Sequence, residues 1–388
     1  MALGMEARVV GQIAVVGVAE SDLGIVPDVS TVQLQAQASA RALREAGLTA
    51  RDVDGLFVAD LVNPLPGLLL AEYLGITPRY SDTTGIGGSS FVAHLEHASA
   101  AIQAGLCSVA LIAYGSTQRS DGSRARRVVD PRSPEGQFET PYGTLAPLTA
   151  YALAAQRHMY EYGTTAEHLA SIAVSTRQWA QMNPVAMMRD PLSVEQVLAS
   201  RVISSPLHLL DCCLVTDGGG AVVVTGVERA RDMAQRPVVV LGTGECHTHA
   251  TFGQMRDMTR TGAAISGRRA FAQAGLRPID IDVAEIYDSF TITVLLSLED
   301  LGFCEKGAGG TFVGEGRLGP GGSLPTNTQG GGLSYTHPGM FGIFTVIEAT
   351  RQLRGECGDR QVAGARVALC HGTGGQLSSH ATAILARL

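Results

Sequence analysis

Short apolar runs alternate along the chain with amphipathic stretches, the pattern of strands that are followed by helices. Buried strands are predicted at residues 12–18, 55–59 and 109–113. Helices are predicted at residues 31–46 and 90–104, each with one apolar face and a glycine directly after its last residue. This alternation favours an α/β fold in which helices cover a sheet.

The pattern repeats within the chain. Residues 42–54 (ALREAGLTARDVD) are similar to residues 270–282 (AFAQAGLRPIDID), and residues 109–115 (VALIAYG) are similar to residues 367–372 (VALCHG). Both pairs occur in the same order, which predicts a duplicated chain. The predicted halves are residues 1–230 and 235–388.

A long insertion is predicted within the first half, at about residues 117–207. It contains predicted helices at residues 147–162 and 165–181, and a segment rich in Arg, Ser, Pro and Gly at residues 119–143 that is predicted to be an exposed loop. The pattern leaves open whether the insertion shapes a substrate pocket or forms a surface or dimer arm.

Composition excludes several classes of function. The chain has 388 residues, 45% of them hydrophobic, and a net charge of −7; its longest basic run lies within residues 124–127, which argues against nucleic-acid binding. Lys306 is the single lysine, so a P-loop is excluded and a lysine Schiff base is disfavoured.

The cysteines and the apolar runs predict a cytoplasmic protein that neither spans nor binds a membrane. The seven cysteines are odd in number and form no CxxC motif, and residues 1–8 lack the apolar core of a signal peptide. No apolar run is long enough to cross a bilayer.

Three segments of the second half place polar residues where a strand is predicted to end. They are AEIYDSF at residues 284–290, NTQGGGLSYTHPGMFG at residues 327–342, and HGTGG at residues 371–375, directly after a strand predicted at residues 366–370. Polar groups and glycines at such points are typical of binding sites in α/β folds.

Together these segments resemble active-site motifs of the thiolase superfamily, specifically the branch of sterol-carrier and lipid-transfer-protein thiolases. The resemblance covers nearly the whole chain and includes residues 183–190 and 211–221. It implies a duplicated thiolase fold, layered αβαβα with two related halves, in agreement with the internal repeat.

The chain departs from this family at the nucleophile. A thiolase carries a reactive cysteine at the start of the first-half helix, whose N-terminus lowers the pKa of the thiol. Here residues 84–91 read TGIGGSSF, and Cys107 lies beyond the other end of the helix. Ser89 and Ser90 are predicted to cap the helix and not to be acylated. Ser90 is also a candidate for binding the substrate or an oxyanion.

Two tyrosines occupy active-site motifs of the family. Tyr287 stands at the position of a family histidine, and Tyr335 lies two residues before His337, which matches the family's active-site histidine. Tyr287, Tyr335 and His337 are therefore predicted to be catalytic. His371 and Gly374 are predicted to bind the substrate or its oxyanion.

A thiolase-like chain without the cysteine and with these tyrosines resembles the lipid-transfer-protein-type aldolases of steroid side-chain degradation. This implies a carbon–carbon lyase that cleaves a β-hydroxyacyl-CoA, such as a steroid side-chain thioester, to a ketone and a short acyl-CoA such as propionyl-CoA. No cofactor is expected, since CoA is part of the substrate. The resemblance also implies a homodimer and a small partner with an OB-fold and a zinc ribbon.

Two other functions stay open: an acyltransferase or thiolase with an atypical nucleophile, and a catalytically silent acyl-CoA-binding subunit. No metal site is predicted. His247 and His249 have metal-ligand spacing, but no carboxylate motif accompanies them. His94 and His97 are interpreted as packed or exposed residues of their helix.

Overall fold

The computed structural model describes residues 12–122 and 128–388 of the chain. Strands and helices alternate as the sequence predicts. The strands are β1 (Ile13–Glu20), β2 (Gly55–Val58), β3 (Tyr80–Asp82), β4 (Val109–Ser116), β5 (Val202–Ser204), β6 (Leu207–His208), β7 (Gly218–Gly226), β8 (Val238–His247), β9 (Val283–Ile286), β10 (Val367–Gly374) and β11 (Ser379–Arg387). The helices are α1 (Thr31–Glu45), α2 (Pro66–Leu74), α3 (Ser90–Gln103), α4 (Gln118–Asp121), α5 (Pro134–Phe138), α6 (Leu148–Tyr162), α7 (Ala166–Gln181), α8 (Val194–Ala199), α9 (Val227–Ala230), α10 (Ala263–Ala274), α11 (Thr291–Asp300), α12 (Gly309–Gly314) and α13 (Gly342–Arg354).

Nine of these strands form one mixed sheet in the order β3-β2-β4-β7-β1-β8-β11-β10-β9. The pairings in the first part of the sheet return in the second. Strands β2 and β4 are parallel and are followed by antiparallel β7 and β1, while β9 and β10 are parallel and are followed by antiparallel β11 and β8. The two series join where β1 pairs with β8.

Three apolar clusters separate the layers of the fold. One lies between α1 and the strands of the first series, and one lies between the second series and the outer helices α6, α7, α10 and α11. The third is central and contains the buried faces of α3 and α13 together with residues from both series of strands. The predicted α/β thiolase-like layering is therefore confirmed.

The repeated sequence segments adopt the same local structure. Asp54 accepts hydrogen bonds from the backbone N–H groups of Ser108 and Val109, at 2.7 and 2.8 Å. Asp282 accepts them from Arg366 and Val367, at 2.8 and 3.0 Å. In each copy an aspartate at the start of one strand thus fixes the start of the next. The boundary between residues 230 and 235 stays a prediction.

Two local predictions need correction. Strand β10 does not end at Cys370 but runs to Gly374, because it pairs with β11 along its whole length. The predicted loop at residues 119–143 contains the short helix α5, which Ser133 caps by accepting a hydrogen bond from the Gly136 N–H at 3.0 Å.

The basic run at residues 124–127 and the N-terminal residues 1–8 lie outside the described residues. Within the described part of the chain, no helix has the length and apolar character that crossing a bilayer requires.

Candidate active site

The loops that follow β9 and precede α13 bring Tyr287 and His337 together. The Tyr287 hydroxyl lies 2.8 Å from Nε2 of His337 and 3.3 Å from the carbonyl oxygen of Gly339, to which it donates. Both side chains are buried, and the Phe341 ring stacks on the imidazole at 6.3 Å between centroids. A phenol and an imidazole are thus held in direct contact in an aromatic environment.

The loop that carries His337 is anchored at its backbone on both sides of the imidazole. The Tyr114 hydroxyl donates to the Pro338 carbonyl and accepts from the Met340 N–H at 3.0 Å. The His337 N–H donates to Oγ1 of Thr216 at 2.9 Å. Tyr114 was not predicted as a site residue; the sequence feature that could have pointed to it is its position near the end of the buried strand β4.

Asp288, the neighbour of Tyr287, holds the Gly-rich loop. Its two carboxylate oxygens accept hydrogen bonds from the N–H groups of Gly332, at 2.6 Å, and Leu333, at 3.2 Å. The side chain is fully buried, and this burial raises the pKa of Asp288 to about 7. Asp288 was not predicted as a functional residue, although it lies within the AEIYDSF motif beside Tyr287.

The turn before α3 packs directly against Tyr287. A Cβ atom at Gly88 would lie 1.9 Å from Cε1 of Tyr287, and one at Gly374 would lie 1.8 Å from the carbonyl oxygen of Ile86. Only glycine permits these approaches. The start of α3 therefore packs on the Tyr287 ring through Gly88, and Gly374 packs on the same turn at Ile86. The predicted role of Gly374 in substrate binding stays a prediction.

Neither serine of this turn caps α3 with its side chain, contrary to the sequence prediction. The Ser90 hydroxyl donates to the Gly87 carbonyl at 2.7 Å and accepts from the Ile86 N–H at 3.0 Å. The Ser89 hydroxyl lies 3.0 Å from the Ile86 carbonyl and 2.8 Å from Oγ of Ser379. Backbone groups of Ile86 and Gly87, together with Ser379 of β11, therefore engage both hydroxyls at the 3₁₀ turn over residues 87–89 that precedes the helix.

The Tyr335 hydroxyl has different partners from that of Tyr287. It donates to Oε1 of Glu20 at 2.9 Å, and the same carboxylate pairs with Arg351. Burial, and next to it the charge of Glu20, raises the pKa of Tyr335 well above its usual value. The structure thus brings Tyr287 and His337 together, whereas the Tyr335 hydroxyl points to the ion pair between Glu20 and Arg351. The catalytic role of Tyr335 stays a prediction.

His371 points away from the turn, to the outer face of its strand. Its Nδ1 lies 2.9 Å from Oγ1 of Thr382, which contacts Ser266 of α10, and its Nε2 lies 3.2 Å from Nδ1 of His380. Burial, with a smaller contribution from His380, keeps the pKa of His371 well below its usual value. What His371 offers to the site is its carbonyl oxygen, which accepts from the Tyr287 N–H at 2.9 Å.

Three thiols and the single lysine are poorly placed for covalent catalysis. Burial raises the pKa of Cys107 to about 11 and that of Cys212 and Cys304 to about 12, which keeps these thiols protonated at neutral pH. The Lys306 ammonium lies 3.0 Å from Glu299 and 2.7 Å from Asp300. The single lysine is therefore engaged by two carboxylates of α11.

Comparison with known proteins places the chain in a family. Residues 244–387 match the family model of the thiolase C-terminal domain. Acetyl-CoA acetyltransferase of Methanothermobacter thermautotrophicus is 35% identical over 95% of this chain and 98% of its own length. The 17-hydroxy-3-oxo-4-pregnene-20-carboxyl-CoA lyase of Mycobacterium tuberculosis is 36% identical, over 89% and 92%.

Other relatives refine the assignment. Sterol carrier protein 2 of Oryctolagus cuniculus is 36% identical over 58% of this chain, but that match spans only 42% of the relative. The solved structure of the Ltp2–ChsH2(DUF35) aldolase superposes with a TM-score of 0.89 at 31% identity and covers 98% of both chains. The chain therefore belongs to the thiolase superfamily, in its sterol-carrier-protein-like branch, which holds acyl-CoA lyases as well as acyltransferases.

Proposed function

We propose that this chain is a carbon–carbon lyase that cleaves a β-hydroxyacyl-CoA by a retro-aldol reaction, with a steroid side-chain thioester as substrate and a ketone and a short acyl-CoA such as propionyl-CoA as products. The observation that carries the proposal is the 2.8 Å contact between Tyr287 and His337 beside a helix start that has serines in place of a cysteine. The lyase and aldolase relatives support it.

The reaction needs a base, an acid and hydrogen-bond donors from the protein. A base takes the proton of the β-hydroxyl group, the bond between Cα and Cβ breaks, and its electron pair moves into the thioester as an enolate; an acid then protonates Cα. No acyl-enzyme forms, and the thioester itself accepts the electrons, so no cofactor is needed for this step. Hydrogen-bond donors near the thioester oxygen lower the barrier.

Tyr287 is the proposed base and His337 its partner. Nε2 of His337, 2.8 Å away, takes the phenol proton. The phenolate that forms is stabilised by the hydrogen bond from that Nε2–H and takes the proton of the β-hydroxyl group. The contact with the Gly339 carbonyl orients the phenol before reaction. We assign stabilisation of the enolate to the start of α3, whose N-terminal dipole favours negative charge. Tyr335 is assigned a structural role, because its hydrogen bond to Glu20, which pairs with Arg351, joins the Gly-rich loop to β1 and α13.

A second candidate function, an acyltransferase with a serine nucleophile, has one observation in its favour. Ser89 contacts Ser379 at 2.8 Å, Ser379 contacts Nδ1 of His247 at 2.9 Å, and Nε2 of His247 contacts Glu245 at 3.1 Å. A serine linked to a histidine–carboxylate pair is the arrangement of a nucleophilic site. The acetyltransferase relative has comparable identity to this chain.

One experiment separates these functions from each other and from a silent subunit. The chain is incubated with a steroid β-hydroxyacyl-CoA, or with a β-ketoacyl-CoA and free CoA, and the products are identified by mass spectrometry. A lyase releases ketone and short acyl-CoA from the first substrate, survives iodoacetamide and shows no acyl group on Ser89. Thiolytic cleavage of the second substrate with an acylated serine contradicts the lyase proposal. Binding of CoA esters without either reaction indicates a silent subunit.

We further infer that the working protein is an assembly. The aldolase in the solved relative contains a DUF35 chain, so a small partner of the OB-fold and zinc-ribbon type is the proposed partner here. A homodimer is proposed because α2 exposes an apolar face. We also propose a cytoplasmic location, because an odd number of cysteines without a CxxC motif favours a reducing compartment. Co-expression with a DUF35 protein tests whether cleavage activity depends on the partner.

A further inference from the structure

Three potential metal ligands converge on the side of α3 that faces β3. One ligand atom from each of Asp82, His94 and His97 lies within 4.8 Å of the other two. The closest pair is Oδ2 of Asp82 and Nδ1 of His97, at 2.7 Å. The two histidines share one face because they are three residues apart on the helix, and the carboxylate comes from the neighbouring strand.

Asp82 and His97 could be present only to form an ion pair with each other, but His94 takes no part in that pair. Its side chain is completely buried, and neither ring nitrogen has a hydrogen-bond partner of normal geometry among the described residues. The ring lies among aromatic side chains, 5.8 Å from Phe57 and 6.0 Å from Phe91 between centroids. The Thr84 backbone makes only a weak contact with the ring. A buried imidazole without a well-formed hydrogen bond costs free energy, and a ligand at one nitrogen would remove that cost.

The other two side chains are oriented by a second layer of contacts. The Thr84 N–H and hydroxyl donate to Oδ1 of Asp82, at 2.8 and 2.6 Å, which leaves Oδ2 directed at the cluster. Oε2 of Glu245 lies 3.4 Å from Nε2 of His97. A carboxylate behind the second nitrogen of a histidine is the usual support of a metal-bound imidazole, since it fixes the ring and its tautomer.

We propose that Asp82, His94 and His97 bind a divalent transition-metal ion, with zinc as the expected occupant. Two imidazoles and one carboxylate form a donor set that suits zinc and leaves one position for water. Binding would widen the 2.7 Å contact between Asp82 and His97 by a small side-chain rotation, because ligands bound at about 2 Å to one ion lie further apart than hydrogen-bonded atoms.

The position of the cluster indicates a structural role. Asp82 precedes the turn at residues 87–89 and the two histidines follow it, so the ion ties both ends of the segment that packs against Tyr287. The lyase reaction proposed above does not require the ion, and the two proposals can fail independently.

The test uses the full chain, freed of metal by a chelator and then titrated with Zn²⁺ or Co²⁺. The wild type is expected to bind one equivalent, with the visible absorption of Co²⁺ bound to nitrogen and oxygen ligands. His94→Phe keeps a packed ring but removes the nitrogens, and it should weaken zinc binding by more than about 100-fold. Glu245→Gln leaves the three ligands in place but alters the carboxylate behind His97, as well as its contact with His247, and should weaken zinc binding by about 10- to 100-fold.

His249→Gln is the matched control, a nearby histidine outside the cluster, and should keep the wild-type stoichiometry and affinity. If His94→Phe does not fold, Asp82→Asn on the strand takes its place with the same expected loss. The proposal is overturned if the metal-free wild type takes up no stoichiometric zinc. It is also overturned if a folded ligand variant binds zinc as tightly as the wild type.

Discussion

At the scale of single residues, the two tyrosines of the family motifs have contrasting environments. The Tyr287 hydroxyl meets His337 and the Gly339 carbonyl, whereas the Tyr335 hydroxyl meets a carboxylate that is already paired with Arg351. The pair of Tyr287 and His337 can take up and release a proton. The hydrogen bond of Tyr335 joins the Gly-rich loop to β1 and α13. The same substitution at the two positions therefore has different expected effects.

Tyr287→Phe is expected to lower turnover by about 10²- to 10⁴-fold, the usual loss when a general acid–base group is removed. The ring and its packing against Gly88 are kept, so KM for the CoA ester and the melting temperature should change little. Steady-state kinetics on a β-hydroxyacyl-CoA, with a melting curve on the same preparation, measure both quantities. Near wild-type turnover of the variant would show that Tyr287 is not the base and would leave His337 as the next candidate.

Tyr335→Phe is the matched variant, and it should retain most of the turnover while losing stability. The hydrogen bond it removes ends on a charged carboxylate, and such bonds contribute about 1.5–3 kcal/mol. Urea unfolding of the two variants side by side measures the difference. If Tyr335→Phe instead lost turnover as strongly as Tyr287→Phe, the sequence-based prediction that both tyrosines are catalytic would stand.

The raised pKa of Asp288 leads us to expect that the stability of the fold depends on pH. Its pKa is raised from 3.8 to about 7 in the folded chain, so folding favours the protonated carboxyl. This contribution is fully present below about pH 4 and is lost as the pH rises through about 7. Between pH 4.5 and 7.5 the free energy of unfolding of the wild type should therefore fall relative to that of Asp288→Asn, which cannot ionise.

Urea unfolding at several pH values tests this relation. Asp288→Asn also weakens the hydrogen bonds to the Gly-rich loop, so its stability is lower at every pH. The quantity to compare is therefore the slope of the free energy of unfolding against pH. Asp28→Asn, which changes an exposed carboxyl, is the control. Equal slopes for the wild type and Asp288→Asn would show that the carboxyl titrates as it does in the unfolded chain.

At the scale of elements, the turn that starts α3 is the piece on which the site depends most. Gly88→Ala would place a methyl group 1.9 Å from the Tyr287 ring and 2.7 Å from the Thr373 carbonyl, so the tyrosine must move. Turnover should fall at least about 100-fold, since small displacements of a reacting group have that effect. Gly85→Ala in the same segment, whose nearest atom is 3.8 Å away, should behave like the wild type.

The elements that sequence analysis predicted well are those with a strong apolar pattern. Helices α1, α3, α6 and α7 and strands β1, β2 and β4 lie within a few residues of their predicted positions, because burial of one face determines them. Strand β3 was missed: its sequence, Tyr-Ser-Asp, is short and polar, and it forms by pairing with β2. The cluster of Asp82 and His94 was missed with it.

The direction of Tyr335 was equally inaccessible to sequence reasoning. Tyr335 ends a π-helical turn over Gly331–Tyr335, and Thr336 then becomes extended, so Tyr335 and His337 leave the loop in different directions although they are two residues apart. That turn depends on Asp288, which holds the N–H groups of Gly332 and Leu333 from another loop. A motif can thus place residues in one region without giving the direction of each side chain.

At the scale of the whole molecule, the central layer explains why residues from both series of strands meet at one site. Helices α3 and α13 lie in the apolar cluster shared by both series, and the loops that enter them carry Ser89 and His337. Tyr287 arrives from the end of β9. Duplication therefore supplies two equivalent helix starts that meet at one point, and each half contributes different residues to it.

The molecular surface predicts self-association through α2. Leu65, Leu68, Leu69 and Tyr73 recur at helical spacing and are 38–68% exposed, while Leu70 on the opposite face is buried. A helix that is apolar on both faces is normally covered. Helix α2 packs on β2. The strand next to β2 is β3, which forms the edge of the sheet, and its free side can pair with a second copy.

The wild type should therefore sediment as a dimer at micromolar concentration. Leu68→Asp should weaken dimerisation by about 10- to 100-fold or more, because burial of one leucine contributes about 1.5–3 kcal/mol and a buried carboxylate adds a cost. Ile279→Asp, at an 80% exposed isoleucine elsewhere on the surface, is the matched control and should remain dimeric. A monomeric wild type, or a Leu68→Asp variant that dimerises as tightly as the control, would show that α2 is not the interface.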